Sequence, residues 1–209
     1  MSSQPHYRKT SRDVIPNSMT SFRLLCQCLI VTCLLATFSH ERAVVIETGP
    51  VYDYVYVDDY GVYVTQGHQM SFNIRASNDA HIALARLKYN TTVDAYEVVI
   101  GGWYNQRSTI RPCDQCPTDW WVDQRLLKET YPMPFWVTWA LNVSGGLTIR
   151  TGSGYVVLQN EFMSWYDPDP HDINYVGVST GWASNGTWIF EVGQWPEMVL
   201  PPHLGGDSK

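Results

Sequence analysis

The sequence predicts an all-β protein, an antiparallel β-sandwich of jelly-roll type. Three observations carry that prediction. Apolar residues alternate with polar ones in short runs rich in β-branched and aromatic side chains. The runs are separated by tight-turn residues. Charged residues make up only 16% of the chain and aromatics 13%, the reverse of a disordered composition. At 209 residues the chain is long enough for one large β domain with a sizeable core.

In chain order the predicted strands are VVIET (44–48), VYDYVYV (51–57), GVYVTQ (61–66), MSFNIRAS (70–77), HIALARL (81–87), AYEVVIGG (95–102) and RSTIR (107–111). They continue with FWVTWALN (135–142), LTIRTG (147–152), YVVLQ (155–159), FMSW (162–165), YVGVST (175–180) and TWIFEV (187–192). Turn chemistry separates them at Ser77-Asn78-Asp79, Ser144-Gly145-Gly146, Gly152-Ser153-Gly154, Asp167-Pro168-Asp169-Pro170 and Ser184-Asn185-Gly186. WVDQRLLK (121–128) is the one stretch that reads as a helical turn. In 135–142 the alternation sets Phe135, Val137, Trp139 and Leu141 on a wholly apolar face, as expected where one sheet packs on a second.

The first fifth of the chain differs. Arg8, Lys9, Arg12 and Arg23 precede Leu24–Phe38, a 15-residue apolar run. A basic flank before a short apolar run is the layout of a secretory signal, and a membrane-spanning helix needs about 20 apolar residues. Residues 1–39 are therefore read as a signal peptide with cleavage after Ser39, the alternative being an uncleaved type II anchor. Either way the domain that follows, 44–192, faces away from the cytosol, and 193–209 reads as a flexible tail. Three acceptor sequons, at Asn90, Asn142 and Asn185, agree with a secreted, glycosylated protein.

Four of the 14 basic residues and one of the 20 acidic residues precede Ser39, so the remainder carries a net charge of −9. That balance repels phosphate backbones and excludes nucleic acid as a partner. Only Cys113 and Cys116 follow the apolar run. Prolines 112 and 117 bracket them in an extended loop, which suits a structural disulfide better than a redox pair or half of a zinc site.

Several phrases taken together, IRASNDAHIAL (74–84), YEVVIGGWYNQRSTIR (96–111), FWVTW (135–139) and FMSWYDPDPHDINYVGVSTGWASNGTWIF (162–190), resemble the farnesoic acid O-methyltransferase-like domain. The resemblance spans roughly Tyr54 to Val192. It implies a sandwich that is lectin-like in outline, and the family's name implies methyl transfer from S-adenosylmethionine to farnesoic acid. The residues themselves show no cofactor site. RTGSGYVVL (150–158) offers glycines after a strand but leads into β-branched residues rather than into a helix. No catalytic residue is carried over from the resemblance, and no cofactor is expected.

The candidate ligand-binding residues are Trp103, Asn105, Arg107, Trp182 and Trp188. GGWYNQR (101–107) and GWASNGTW (181–188) each set an aromatic ring beside amide or guanidinium donors on a loop, the equipment that binds a sugar face. The competing reading makes each Trp a hairpin's core anchor. His81 reads as a strand residue hydrogen-bonded to a neighbour. Asp167, Asp169 and Asp172 crowd DPDPHD, a weak Ca²⁺ candidate beside the plainer reading of a rigid proline turn, so no metal is assigned. The expectation is an exported binding module for a glycan or another extracellular protein, without catalysis. It would meet a membrane only through an uncleaved N-terminal segment. The alternatives are the methyltransferase the family name implies and a purely structural module.

Overall fold

The computed structural model describes residues 42–64, 68–89 and 94–192. The N-terminal segment, the sequon at Asn90 and the tail lie outside the described residues. Twelve strands form two six-stranded sheets in which every pairing is antiparallel. The first sheet runs β1 (Arg42–Thr48), β12 (Gly186–Val192), β3 (Gln69–Ala76), β8 (Met133–Leu141), β9 (Leu147–Ser153), β10 (Glu161–Asp167). The second runs β2 (Val55–Tyr56), β11 (Tyr175–Thr180), β4 (Ala80–Ala85), β5 (Ala95–Gly101), β6 (Arg107–Arg111), β7 (Val122–Asp123). This is the sandwich expected from the alternation.

One core fills the space between the sheets. Ile46, Phe72, Ile74, Phe135, Val137, Trp139 and Phe190 of the first sheet meet Ile82, Leu84, Val98, Ile100, Ile110 and Val178 of the second. Rings cluster at its centre, with Phe72 within 5.3 Å of Trp188 and 6.1 Å of Phe135 between centroids.

Five sequence readings are corrected, the 51–57 strand among them. Leu141 does not continue the apolar face of β8: it sits at the strand end with 59% of its surface exposed, past the edge of the core. YVVLQ is not a strand. Residues 154–160 form the loop between β9 and β10, turned by left-handed Gly154, Leu158 and Asn160, with Tyr155, Val156 and Leu158 exposed. The 121–128 stretch is extended and supplies β7 instead of a helical turn. GVYVTQ forms no strand over 62–64, and its end lies outside the described residues.

A structural surprise bears on function. β4 and β5 are buried on both faces (Ala80–Ala85 and Ala95–Gly101 throughout), so the outer face of the second sheet is covered as well. Two segments cross it. Residues 50–54 lay Tyr52 and Tyr54 over Gly181 and Gly177, where an added Cβ would come within 3.2 Å and 3.1 Å of those side chains. Residues 112–127 fold back from β6. Because 51–54 serves as this strap, only Val55–Tyr56 of the predicted 51–57 strand pairs in the sheet, and a 3-10 turn (Val57–Tyr60) follows.

Candidate functional site

Side-chain alternation along β4, β5 and β6 puts His81, Glu97, Val99, Thr109 and Arg111 on the outer face. Register then brings three charged groups together. His81 lies opposite Val99, Ala83 opposite Glu97, and Glu97 opposite Arg111. His81 and Glu97 are therefore diagonal neighbours, and Glu97 and Arg111 direct ones.

Glu97 is completely buried, and its carboxylate is surrounded by donors. His81 Nδ1 donates to Oε1 at 2.6 Å. Gln115 donates twice, its backbone N–H to Oε2 at 3.0 Å and its side-chain amide to Oε1 at 3.0 Å. The Tyr52 and Tyr54 hydroxyls lie 2.7 Å and 3.2 Å from Oε1, and Tyr52 also touches the Asp114 carboxylate. Arg111 Nε stands 3.4 Å from Oε2 as an ion pair. A buried charge persists only with such a set. Burial alone would raise the Glu97 pKa, but His81, Arg111 and Tyr52 outweigh it and hold the carboxyl below its usual range. Burial likewise pulls His81 down, yet Asp79 and Glu97 hold the imidazole above its ordinary value. The Tyr52 and Tyr54 phenols are pushed well up, first by burial and then by the Glu97 charge, so both remain donors.

His81 forms the floor of a cavity of about 520 Å³. Trp103, Tyr104 and Trp182 line its walls, and Asp79, Arg111 and Gln115 add polar groups. Tyr52 meets the imidazole edge-on with ring centroids 5.0 Å apart, and Trp182 lies over it at 5.2 Å, tilted by 30°. The Arg111 guanidinium carbon sits 5.6 Å from the centre of the Trp103 ring. Both rings stay open to solvent, Trp103 at 39% and Trp182 at 57% exposure.

The backbone around this cavity is held in unusual conformations. Eleven described non-glycine residues have positive φ, and five of them line the cavity: Asp79, Trp103, Tyr104, Gln115 and Trp182. Gly102–Asn105 is a single left-handed turn in which Trp103, Tyr104 and Asn105 all have φ between 51° and 59°, closed by Gln106 N–H donating to the Gly102 carbonyl at 2.9 Å. Left-handed geometry costs roughly 1–2 kcal/mol for each such residue, and strain of this kind gathers where function requires it. Gly101 makes the turn possible: its φ is 63°, and a Cβ there would lie 2.7 Å from Asn105 Oδ1 and 2.8 Å from Leu127.

The structure brings Trp103 and Trp182 to one cavity and takes three other candidates elsewhere. Trp188 is fully buried in the core, its indole N–H donating to Thr48 Oγ1 at 3.0 Å; the outward lip expected from 181–188 ends at Trp182. Asn105 spends its amide on the chain. Its Nδ2 donates to the Leu127 carbonyl at 2.9 Å and its Oδ1 accepts the Leu126 and Leu127 N–H groups at 3.1 Å, pinning the turn to the end of the 112–127 segment. Arg107 stacks on Trp121 at 4.3 Å and pairs with Asp123 at 3.3 Å on the far edge.

Cys113 and Cys116 form the disulfide, with Cα atoms 5.3 Å apart, and the loop they close carries Asp114 and Gln115 to the site. Asp167 accepts from the Tyr96 hydroxyl at 2.7 Å and caps its own turn at Asp169 N–H, 3.0 Å away. Among the described residues no group of three His, Cys, Asp or Glu side chains is placed to hold a metal. Asn142 and Asn185 are both exposed. Among the described residues no helix is long and apolar enough to cross a membrane.

Sequence reasoning missed Glu97, Arg111, Gln115, Tyr52 and Tyr54. One signal was available: Glu97 is the lone charge in AYEVVIG, a run whose apolar residues occupy both faces. A charge inside a doubly buried strand must be paired.

Residues 51–193 match the family model described as "Farnesoic acid 0-methyl transferase". The chain is also similar to "Uncharacterized protein 5" of Haliotis asinina. The two are 30% identical over 134 residues, which is 62% of this chain and 75% of that protein.

Proposed function

The chain belongs to the farnesoic acid 0-methyl transferase family, and from that premise we propose that it is a binding module whose site is the cavity lined by Trp103 and Trp182. The carrying observation is the convergence of two exposed indoles, from separate loops, over a floor of buried polar groups. A cavity of about 520 Å³ is in the size class of small-molecule sites. Indole faces suit the apolar face of a sugar ring, and the polar groups below suit its hydroxyls. A glycan is therefore the proposed ligand. The test is a glycan array probed with the 44–192 domain. Binding that Trp103→Ala and Trp182→Ala each abolish supports the reading, and binding indifferent to both overturns it.

A second reading is favoured by the family itself: methyl transfer to farnesoic acid. The Arg111 guanidinium is a cationic group beside the cavity that would meet a carboxylate substrate. Calorimetric titration with S-adenosylmethionine, followed by a methyl-transfer assay on farnesoic acid, tests it. Saturable binding with product formation would replace the binding-module reading.

We also propose that the protein is exported and glycosylated at Asn90, Asn142 and Asn185. The basic-then-apolar N-terminus and the three sequons support this. Mass spectrometry of the mature N-terminus, with and without glycosidase treatment, distinguishes a cleaved signal from a retained anchor and counts the glycans.

A further inference from the structure

His81 is 1% exposed, and its Nε2 is a buried polar atom with no hydrogen-bond partner in the protein. Its other ring nitrogen is committed to Glu97. Asp79 Oδ1 stands 3.8 Å from Nε2, which is ion-pair range but too long for a hydrogen bond. The other Asp79 oxygen accepts from the Asn78 amide. The floor of the cavity thus holds a ring nitrogen without a partner beside a carboxylate oxygen, with a gap between them.

Resting on the binding-module reading, we infer that this His81–Asp79 gap reads one hydroxyl of an uncharged sugar and discriminates against acidic sugars. A hydroxyl is the group that satisfies both sides, accepting from Nε2–H while donating to Asp79 Oδ1. Charged groups fit worse. A carboxylate placed there could accept from Nε2–H, but it would face Asp79 at contact distance and has no proton to give it. An ammonium could donate to Asp79, but it has no lone pair to accept from Nε2–H. The charged groups next to His81 are Asp79, which precedes β4, and Glu97 on β5; Arg111 on β6 pairs with Glu97, and Asp114 in the 112–127 segment meets the hydroxyl of Tyr52, whose ring is edge-on to the imidazole. Glu97 keeps the imidazole in its donating form, and Asp79 sets the preference for a neutral partner.

Asp79→Asn tests this without disturbing the backbone. Asp79 has φ of 55°, a conformation that Asn tolerates, and its backbone N–H bond to the Gly101 carbonyl at 2.9 Å is retained. The probes are methyl glucoside against methyl glucuronide and methyl galactoside against methyl galacturonide, titrated by calorimetry or ligand-observed NMR. The wild-type domain should prefer the neutral member of each pair. Asp79→Asn should shift the acidic-to-neutral affinity ratio by about tenfold toward the acid, through loss of one repulsive charge at contact distance. A ratio unchanged by Asp79→Asn, in a domain whose binding still needs Trp103, overturns this inference and leaves the binding module standing. No binding of any of the four probes, together with a blank glycan array, overturns both. One further measurement needs no ligand: imidazole ¹⁵N shifts of His81 at pH 6 should show both nitrogens protonated, and an unprotonated Nε2 would remove the donor on which the inference depends.

Discussion

The Nδ1 atom of His81 lies 2.6 Å from Oε1 of Glu97, and both side chains are buried on the outer face of the second sheet. This contact joins two strands by a charge pair that the core between the sheets does not require. Buried pairs are expensive to break, because removing one partner leaves the other unpaired. Glu97→Gln should therefore destabilise the domain by about 3 kcal/mol in urea unfolding. A loss under about 1 kcal/mol would mean that the network is solvated in solution.

The same pair makes stability depend on pH. His81 is held above its ordinary value of 6.5, so its contribution is full below about that pH and is lost as pH rises through the folded-state value. Glu97 is held below its ordinary value of 4.5, so its contribution is full above about that pH and is lost as pH falls through the folded-state value. Both act together between about pH 4.5 and 6.5. The stability difference between wild type and Glu97→Gln should be largest in that window and shrink on either side. A difference that is flat from about pH 4 to 8 contradicts the assignment.

Tyr104 has 85% of its surface exposed and φ of 59°. Its side chain contributes little packing, while its backbone bears left-handed strain. Tyr104→Gly should raise stability by about 1 kcal/mol. Tyr104 also lines the cavity wall, so the same variant should bind more weakly, separating the strain from its use.

The disulfide closes a four-residue loop from Cys113 to Cys116. Chain entropy for so short a loop amounts to about 2 kcal/mol. Replacing both cysteines with serine should cost about that much in thermal or urea unfolding. It should also loosen Gln115 from Glu97, so ligand affinity falls alongside stability. Intact affinity in the double variant would show that Gln115 is held by its own hydrogen bonds.

Two tryptophans six residues apart should behave oppositely. Trp188→Ala empties a core site and should cost about 3–5 kcal/mol. Trp182→Ala removes a half-exposed ring and should cost about 1 kcal/mol or less while abolishing binding. Denaturation curves beside glycan titrations for the two variants check both halves.

Local patterning determined a great deal. Alternation along MSFNIRAS, HIALARL, FWVTWALN and TWIFEV marked β3, β4, β8 and β12, and in β8 it also marked the inward Phe135, Val137 and Trp139, because a strand's side chains point to opposite sides whatever the rest of the chain does. The glycines of GGWYNQR and GWASNGTW marked the two loops that carry Trp103 and Trp182, although among those glycines only Gly101 takes a left-handed φ and the second loop turns on Trp182 and Ala183. What alternation could not reveal was which strand lies beside which. The meeting of His81, Glu97 and Arg111 depends on the β4–β5–β6 register; Tyr52 reaches them from a segment distant in sequence, and Gln115 from the loop that folds back after β6. Covering the sheet's outer face is a tertiary event, and it turned an ordinary strand glutamate into a buried anion. It also separated Trp182 from Trp188: identical rings on one short stretch were divided between cavity and core by where the sheet edge fell.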